Sequence, residues 1–349
     1  MLRRGRQCSP VLTPVFSVSH SHSFRPILFP LLTHYFAYGL HIQSDISLPE
    51  LEPVREDVSD VSITVMEGTP PVESGSDGDL EVLAWDEVGT FLVSGGTTVR
   101  VYLREDVDHE LARLPILGPV LGTILHQRGH VVLHASAVSI DGCVVAFIGH
   151  KGYGKTTTAA ALHARGHALV TDDLLPIALS EEQGPRTWPG YGRMSVWPES
   201  AKAVGSDPNR LQSLHQRVCK KALPASNRIN PREAVPLKAI YVLGRGGRPA
   251  CKGLSAREAF VAVLRHSYCS SQLAESDADA LPPLFRQFTQ LVEEVPIRRL
   301  ERTDDLNLLP VLARLIERDV QSVPPRSPTL PRPSAAPASV SPTTPISGS

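Results

Sequence analysis

Residues Gly149 to Asp173 read GHKGYGKTTTAAALHARGHALVTDD, and no other stretch constrains the fold of this chain as tightly. The apolar run Cys143-Val144-Val145-Ala146-Phe147-Ile148 leads into Gly149-x-x-x-x-Gly154-Lys155-Thr156. A short apolar run of β-branched and aromatic residues between glycines predicts a buried strand. A helix is expected from about Lys155 to Ala164, stopped by Gly166 as its C′ residue. His167 to Thr171 reads as the next strand, which makes the whole stretch one βαβ unit. A short parallel crossover would bring both strand ends to one edge of the sheet. Asp172 and Asp173, 17 and 18 residues after Lys155, are then expected at the end of that second strand, beside the loop.

The loop has the composition of a phosphate cradle. Closely spaced glycines let successive backbone N–H groups turn toward one anion, and the following helix adds the positive end of its dipole. The candidate ATP-binding set is Gly149, His150, Lys151, Gly152, Tyr153, Gly154, Lys155, Thr156 and Thr157. Lys155 is placed to meet the β- and γ-phosphates and the Thr156 hydroxyl to ligate Mg²⁺. Two adjacent carboxylates suit divided labour, one facing the metal and one accepting the proton of an attacking hydroxyl.

Leu133-His134-Ala135, the loop, Arg165-Gly166-His167 and Leu169-Val170-x-Asp172-Asp173 together resemble the catalytic domain of the HPr kinase/phosphorylase family. The resemblance implies an α/β fold of the phosphoenolpyruvate-carboxykinase and HPr-kinase P-loop type, with ATP- and Mg²⁺-dependent phosphorylation of a protein serine. It implies Asp172 as the catalytic acid/base, Asp173 and His134 in support, and Thr156 with Asp173 on the metal. The motif likeness covers about forty residues, and the order of elements stays compatible to about residue 318. The chain departs from that family at His150 and Lys151, where the family has Asp and Ser, and at Thr157, where it has a metal-binding Glu. Its downstream M-E-I-R-G signature is replaced by Pro189-Gly190-Tyr191-Gly192-Arg193-Met194. The segment Tyr38-Gly39-Leu40-His41-Ile42-Gln43-Ser44, running into Leu48-Pro49-Glu50-Leu51, is similar to the opening of divergent HPr-kinase-related proteins. Some of those phosphorylate a precursor peptide, so the acceptor implied is a small protein or peptide hydroxyl.

The rest of the chain narrows the class. A formal net charge of −1 and 5% aromatic residues provide neither a basic footprint nor a stacking platform for nucleic acid. Five scattered cysteines form no C-x-x-C or metal spacing, which fits a reducing cytoplasm. Prolines at 10, 14, 26 and 30 interrupt the opening, so residues 1–35 read as a disordered extension with no membrane partner expected. Residues 36–128 read as a small α+β module. Its strands are expected near 39–44, 61–66, 90–93 and 97–103, and its helix, over about 108–128, should be kinked or split at Pro115 and Pro119. Residues 129–319 form the expected P-loop domain, opening with a hairpin of 131–140 and 143–148 joined by the turn pair Asp141-Gly142. Residues 181–250 read as loop-rich and basic, with Arg193, Arg217, Lys220, Lys221 and Arg228 as candidates for holding phosphate or an acidic substrate, Arg228 and Lys221 foremost. A strand at 237–243, a capping box at Ser255-x-x-Glu258 and helices near 281–294 and 305–318 complete the domain. Residues 320–349, rich in Pro and Ser, read as a disordered tail.

Two other functions stay open on sequence: a module that holds ATP without transferring it, motivated by Thr157, and a carboxykinase-like decarboxylase, motivated by the Thr156-Thr157 pair. The residues leave the oligomeric state, homo-oligomer or not, undecided.

Overall fold

A computed structural model of the chain describes residues 33–71, 80–105, 107, 109–215, 218–268 and 281–324. The extension (up to residue 32), most of the tail, Arg217, Cys8 and Cys269 lie outside the described residues. The described residues fold as a mixed α/β structure with three sheets.

The first sheet is built from β1 (Thr33–Ala37), β2 (Leu40–Ser44), β3 (Glu52–Val54), β4 (Val61–Val65), β5 (Leu80–Trp85), β6 (Gly89–Ser94) and β7 (Thr98–Leu103), in the order β3-β1-β2-β4-β7-β6-β5. β1 starts at Thr33, so the expected boundary at residue 35 falls inside a strand. β2 and β4 alternate buried and half-buried residues, the pattern of a sheet with one covered face. The cover is α1 (His109–Pro115) and α2 (Leu121–Gln127), separated by a π-helical segment, Ile116–Val120. Pro115 and Pro119 split the helix as their chemistry demands, since neither can donate to the i−4 carbonyl.

The second sheet has the order β11-β10-β8-β9-β15-β17-β16. Its strands are β8 (Val131–Ile140), β9 (Cys143–Ile148), β10 (Ala168–Ala178), β11 (Arg186–Thr187), β15 (Val235–Arg245), β16 (Ala250–Gly253) and β17 (Ile297–Arg302). α3 (Lys155–His163) and α7 (Leu309–Ser322) pack on one face, where Val145, Phe147, Ala159, Leu162 and Ile316 share a core. α5 (Ala256–Arg265) and α6 (Leu281–Glu294) pack on the other, with Ala146, Ile148, Val263 and Phe288. Ser255 and Glu258 form the expected capping box. α7 runs past residue 319, and Val320 is fully buried, so the expected start of the tail moves beyond Ser322.

Three expectations are corrected. β9 and β10 run in the same direction, but both pair antiparallel with β8, which lies between them; the sheet is mixed at this point. The second strand does not stop at Thr171. It continues to Ala178, so the Asp pair lies in mid-strand, and Pro176 beyond it still pairs with Val132. Residues 181–250 are about half loop, and the rest holds elements the sequence did not signal: β12 (Arg193–Val196), β13 (Ser213–His215) and β14 (Val218–Pro224) form a third sheet, and α4 (Pro198–Ala203) packs beside it.

Candidate functional site

Register brings the carboxylates to the loop. Ile148, the last residue of β9, pairs with Ala135, and Ala135 pairs with Asp173 on its other side. The Asp pair is therefore level with the start of the loop, one strand away. β10 reaches this level through a register shift between Leu169 and Thr171, and Asp173 has φ 131°, a conformation that costs a non-glycine residue on the order of 1–3 kcal/mol. Neighbouring strand residues should face opposite sides of a sheet. Here Asp172 reaches Ser136 and Asp173 reaches His134, two residues along the same face of β8. The positive φ at Asp173 accounts for that shared direction.

The two carboxylates have different surroundings. Asp172 is buried, and its Oδ1 accepts from Ser136 Oγ at 2.6 Å and from Thr156 Oγ1 at 2.8 Å. Its Oδ2 accepts from the backbone N–H of Ser195 at 2.8 Å. Burial raises its pKa, and these three donors offset part of the rise. The Asp173 side chain is 36% exposed, and its Oδ1 lies 2.8 Å from His134 Nδ1. Desolvation pushes this carboxyl up, but the hydrogen bond and charge of His134, with Lys220 and Lys155 behind it, hold it below the ordinary carboxylate range. Gly118 of the π-helical segment faces Asp173, with room between them for little more than a methyl group.

On the loop side, Lys155 is buried and its Nζ donates to Gly149 O at 2.9 Å. Burial lowers its pKa, opposed by the charges of Asp173 and Asp172. Gly154 stands at the N-cap with φ 87° and no side-chain cap, which leaves the first-turn N–H groups without a side-chain acceptor. A Cβ at this position would overlap the Arg302 guanidinium, which leans on the loop. Arg302 Nη1 lies 3.4 Å from Gly154 O, and burial lowers its pKa. His150, Lys151 and Gly152 are exposed at the loop tip. The His150 ring lies 5.3 Å from that of Tyr153 and 5.2 Å from that of His266.

Not every candidate comes to this place. Thr157 is buried away from the loop, its hydroxyl 2.9 Å from Ser200 on α4. Arg165 and His167 bond Glu317 of α7, at 2.7 and 2.9 Å, and so anchor the turn after α3. Arg193 pairs with Glu50, Arg228 packs over Gly192, and Lys221 donates to Ser213 at 2.9 Å. Of the basic candidates it is Lys220, 5.9 Å from the Trp197 ring, whose charge reaches Asp173 and Lys155. Sequence reasoning missed Ser136, Ser195, Arg302 and His266. Ser136 was within reach, because it lies two residues from His134 and so shares its face of a strand. The other three sit on distant segments.

The donor set fits Mg²⁺ better than a metal caged by protein. Among the described residues no group of three or more His, Cys, Asp and Glu could hold a metal ion. Thr156 and the adjoining carboxylates instead offer the sparse oxygen set that Mg²⁺ shares with substrate phosphates. Among the described residues no helix is long and apolar enough to cross a membrane.

No family model and no curated protein matches the chain. Among solved structures, the HPr(Ser) kinase/phosphatase from Coxiella burnetii overlaps it with a TM-score of 0.30 and 13% identity, over 54% of this chain and 95% of that one. The expected kinship with HPr kinases thus has a weak structural likeness and no match in sequence.

Proposed function

We propose that the chain is an ATP-dependent phosphotransferase of the P-loop kinase type that phosphorylates a serine or threonine hydroxyl of a small protein or peptide. The observation that carries this reading is the pairing of a half-exposed Asp173–His134 couple with a glycine-rich loop whose Thr156 is bonded to the neighbouring carboxylate.

The geometry favours a division of labour different from the one the family resemblance implies. Asp172 is bonded to Thr156 and keeps acceptor capacity beyond its three donors, so it suits the metal side, where it would hold Mg²⁺ together with that hydroxyl. Bound there, Mg²⁺ would neutralise phosphate charge. Asp173 has the open face, so an acceptor hydroxyl can reach it and hand it a proton, and its lowered pKa keeps it ionised for that approach. His134 orients that carboxylate. Lys155, on the buried side of the loop, supplies a fixed positive charge to the phosphates, and the uncapped first turn of α3 supplies N–H donors. Lys220 would balance the charge that gathers on the transferred group.

The test is incubation of the full chain with γ-labelled ATP, Mg²⁺ and candidate serine-containing peptides, with ATP binding measured in parallel. Label on a peptide hydroxyl is the expected result. ATP binding with no transfer to any acceptor would leave the regulatory module that the substitution at Thr157 suggests.

A further inference from the structure

The sheet edge that carries the loop also carries a buried cation with no carboxylate in contact with it. β9, β15 and β17 run parallel and pair in that order, so their carboxyl ends share one edge. Ligands of open α/β sheets lie outside such an edge. Val242 of β15 pairs with Ile148, where β9 gives way to the loop, and with Arg299 of β17. Arg302 closes β17 three residues farther on, about 10 Å beyond that level. The loop climbs the same way, and its Gly154 end meets Arg302 there. Gly154 leaves free the space that the guanidinium takes.

Only 7% of Arg302 is exposed. Its Nε donates to Thr303 O at 3.1 Å, and its Nη1 lies 3.4 Å from Gly154 O. A guanidinium has five N–H donors, and among the described residues these two carbonyls are its only acceptors. Nη2 meets none. The less buried Arg113, Arg193 and Arg298 each face a carboxylate, Glu50 for the first two and Asp319 for the third. The field of Asp304 acts on Arg302, but that side chain is 75% exposed and pairs with Arg245 at 3.8 Å. A guanidinium stays protonated at any working pH, and burying its charge away from an anion is costly. A neutral amide would hold Gly154 O without that penalty. The charge therefore calls for an anion.

The loop supplies a place for one. Gly154 is the N-cap of the nine-residue α3 and offers no side-chain cap, so first-turn N–H groups lie at the end that Arg302 touches. Lys155 Nζ holds Gly149 O at 2.9 Å, so the two cations grip opposite ends of one loop. A turn by itself supplies backbone donors and a single cation. Arg302 brings a second from a strand end more than 140 residues away in sequence.

We propose that Arg302 is a second cation of the nucleotide site, binding the phosphates of ATP through Nη2 at the Gly154 end of the loop, opposite Lys155. The proposal rests on the loop as a polyphosphate site and not on transfer to a hydroxyl.

The test is calorimetric binding of inorganic tripolyphosphate to the full chain, at several salt concentrations, with thermal melting in parallel. Wild type is compared with Arg302→Gln, Arg302→Lys and Lys155→Ala. In Arg302→Gln the expected result is a Kd raised by about tenfold, a shallower salt dependence, and a Tm equal to or above wild type, since a buried charge is gone. Arg302→Lys should recover part of the affinity and the salt dependence of wild type. An Arg302→Gln Kd within twofold of wild type would overturn the proposal. So would equal losses in the Gln and Lys variants with a fall in Tm, which mark a clamp on the loop and not a ligand of phosphate. If wild type binds no tripolyphosphate, the loop assignment fails and Arg302 with it. If Lys155→Ala loses binding while Arg302→Gln keeps it, the loop assignment stands and Arg302 alone is removed from the site. Label transfer enters none of these measurements, so a chain that binds tripolyphosphate and phosphorylates nothing sinks the kinase reading without touching this one.

Discussion

The site has two halves built in opposite ways. The loop half is contiguous: β9, the turn through Gly154 and α3 occupy 21 residues from Cys143 to His163, and local sequence dictates each of them. The carboxylate half is assembled. Asp172 and Asp173 draw on His134 and Ser136 of β8, Ser195 of the third sheet and the charge of Lys220 on β14. Phosphate binding needs only backbone donors and one cation, which a single turn can supply. Proton transfer needs a tuned carboxylate, and tuning takes groups from several directions.

That contrast can be broken at either half. The largest effect is expected from Asp173→Asn: label transfer should fall by on the order of 10²-fold or more while ATP affinity stays near wild type. Unchanged transfer would remove Asp173 from the chemistry. Lys155→Ala should act on the other half, weakening ATP binding by about tenfold or more through loss of the phosphate point charge, as measured by calorimetry. An unaltered Kd would contradict the loop assignment. Ser136→Ala removes one of three donors from the buried Asp172, and denaturant unfolding should show a loss of about 1–3 kcal/mol. A loss near zero would mean that Ser195 and Thr156 suffice.

The smallest effect concerns pH. Burial, with the charges of His150, Lys155, His134 and Arg265, lowers the His266 pKa from 6.5 to about 4. Between those values the unfolded chain binds a proton that the folded chain refuses, so stability falls as pH drops from about 6.5 toward 4. Thermal melts across that window should be less pH-dependent in His266→Gln. His126 and His130, also lowered by burial, would retain a share of the slope. An identical slope in the variant would assign the whole of it to other groups.

The loop half was legible because strand, glycines and helix follow one another, and the Asp141-Gly142 turn and the proline-split helix were legible for the same local reason. The length of β10 was not. Asp172 and Asp173 look like a strand end by composition, yet the apolar run resumes with Leu174, Leu175 and Ile177, all fully buried. Among the basic residues, sequence favoured Lys221 over Lys220, and adjacent strand positions face opposite sides. Only the placement of β14 decides which of them meets the site. Strands β1, β3 and β5 were missed as well. β3 is three residues long, and of β5 only Trp85 is buried, so neither carries a strong alternation. Tyr38 and Glu50 stood in the two segments that resemble related proteins, but nothing local connects them to Pro189 and Arg193, more than 100 residues away.

The central claim is that the adjacent carboxylates divide the work, Asp172 on the metal side and Asp173 on the proton side. The most direct measurement is the Mg²⁺ dependence of ATP affinity in Asp172→Asn and Asp173→Asn. The account predicts that the gain in affinity from Mg²⁺ is lost in Asp172→Asn and kept in Asp173→Asn. A gain kept in Asp172→Asn and lost in Asp173→Asn would contradict it.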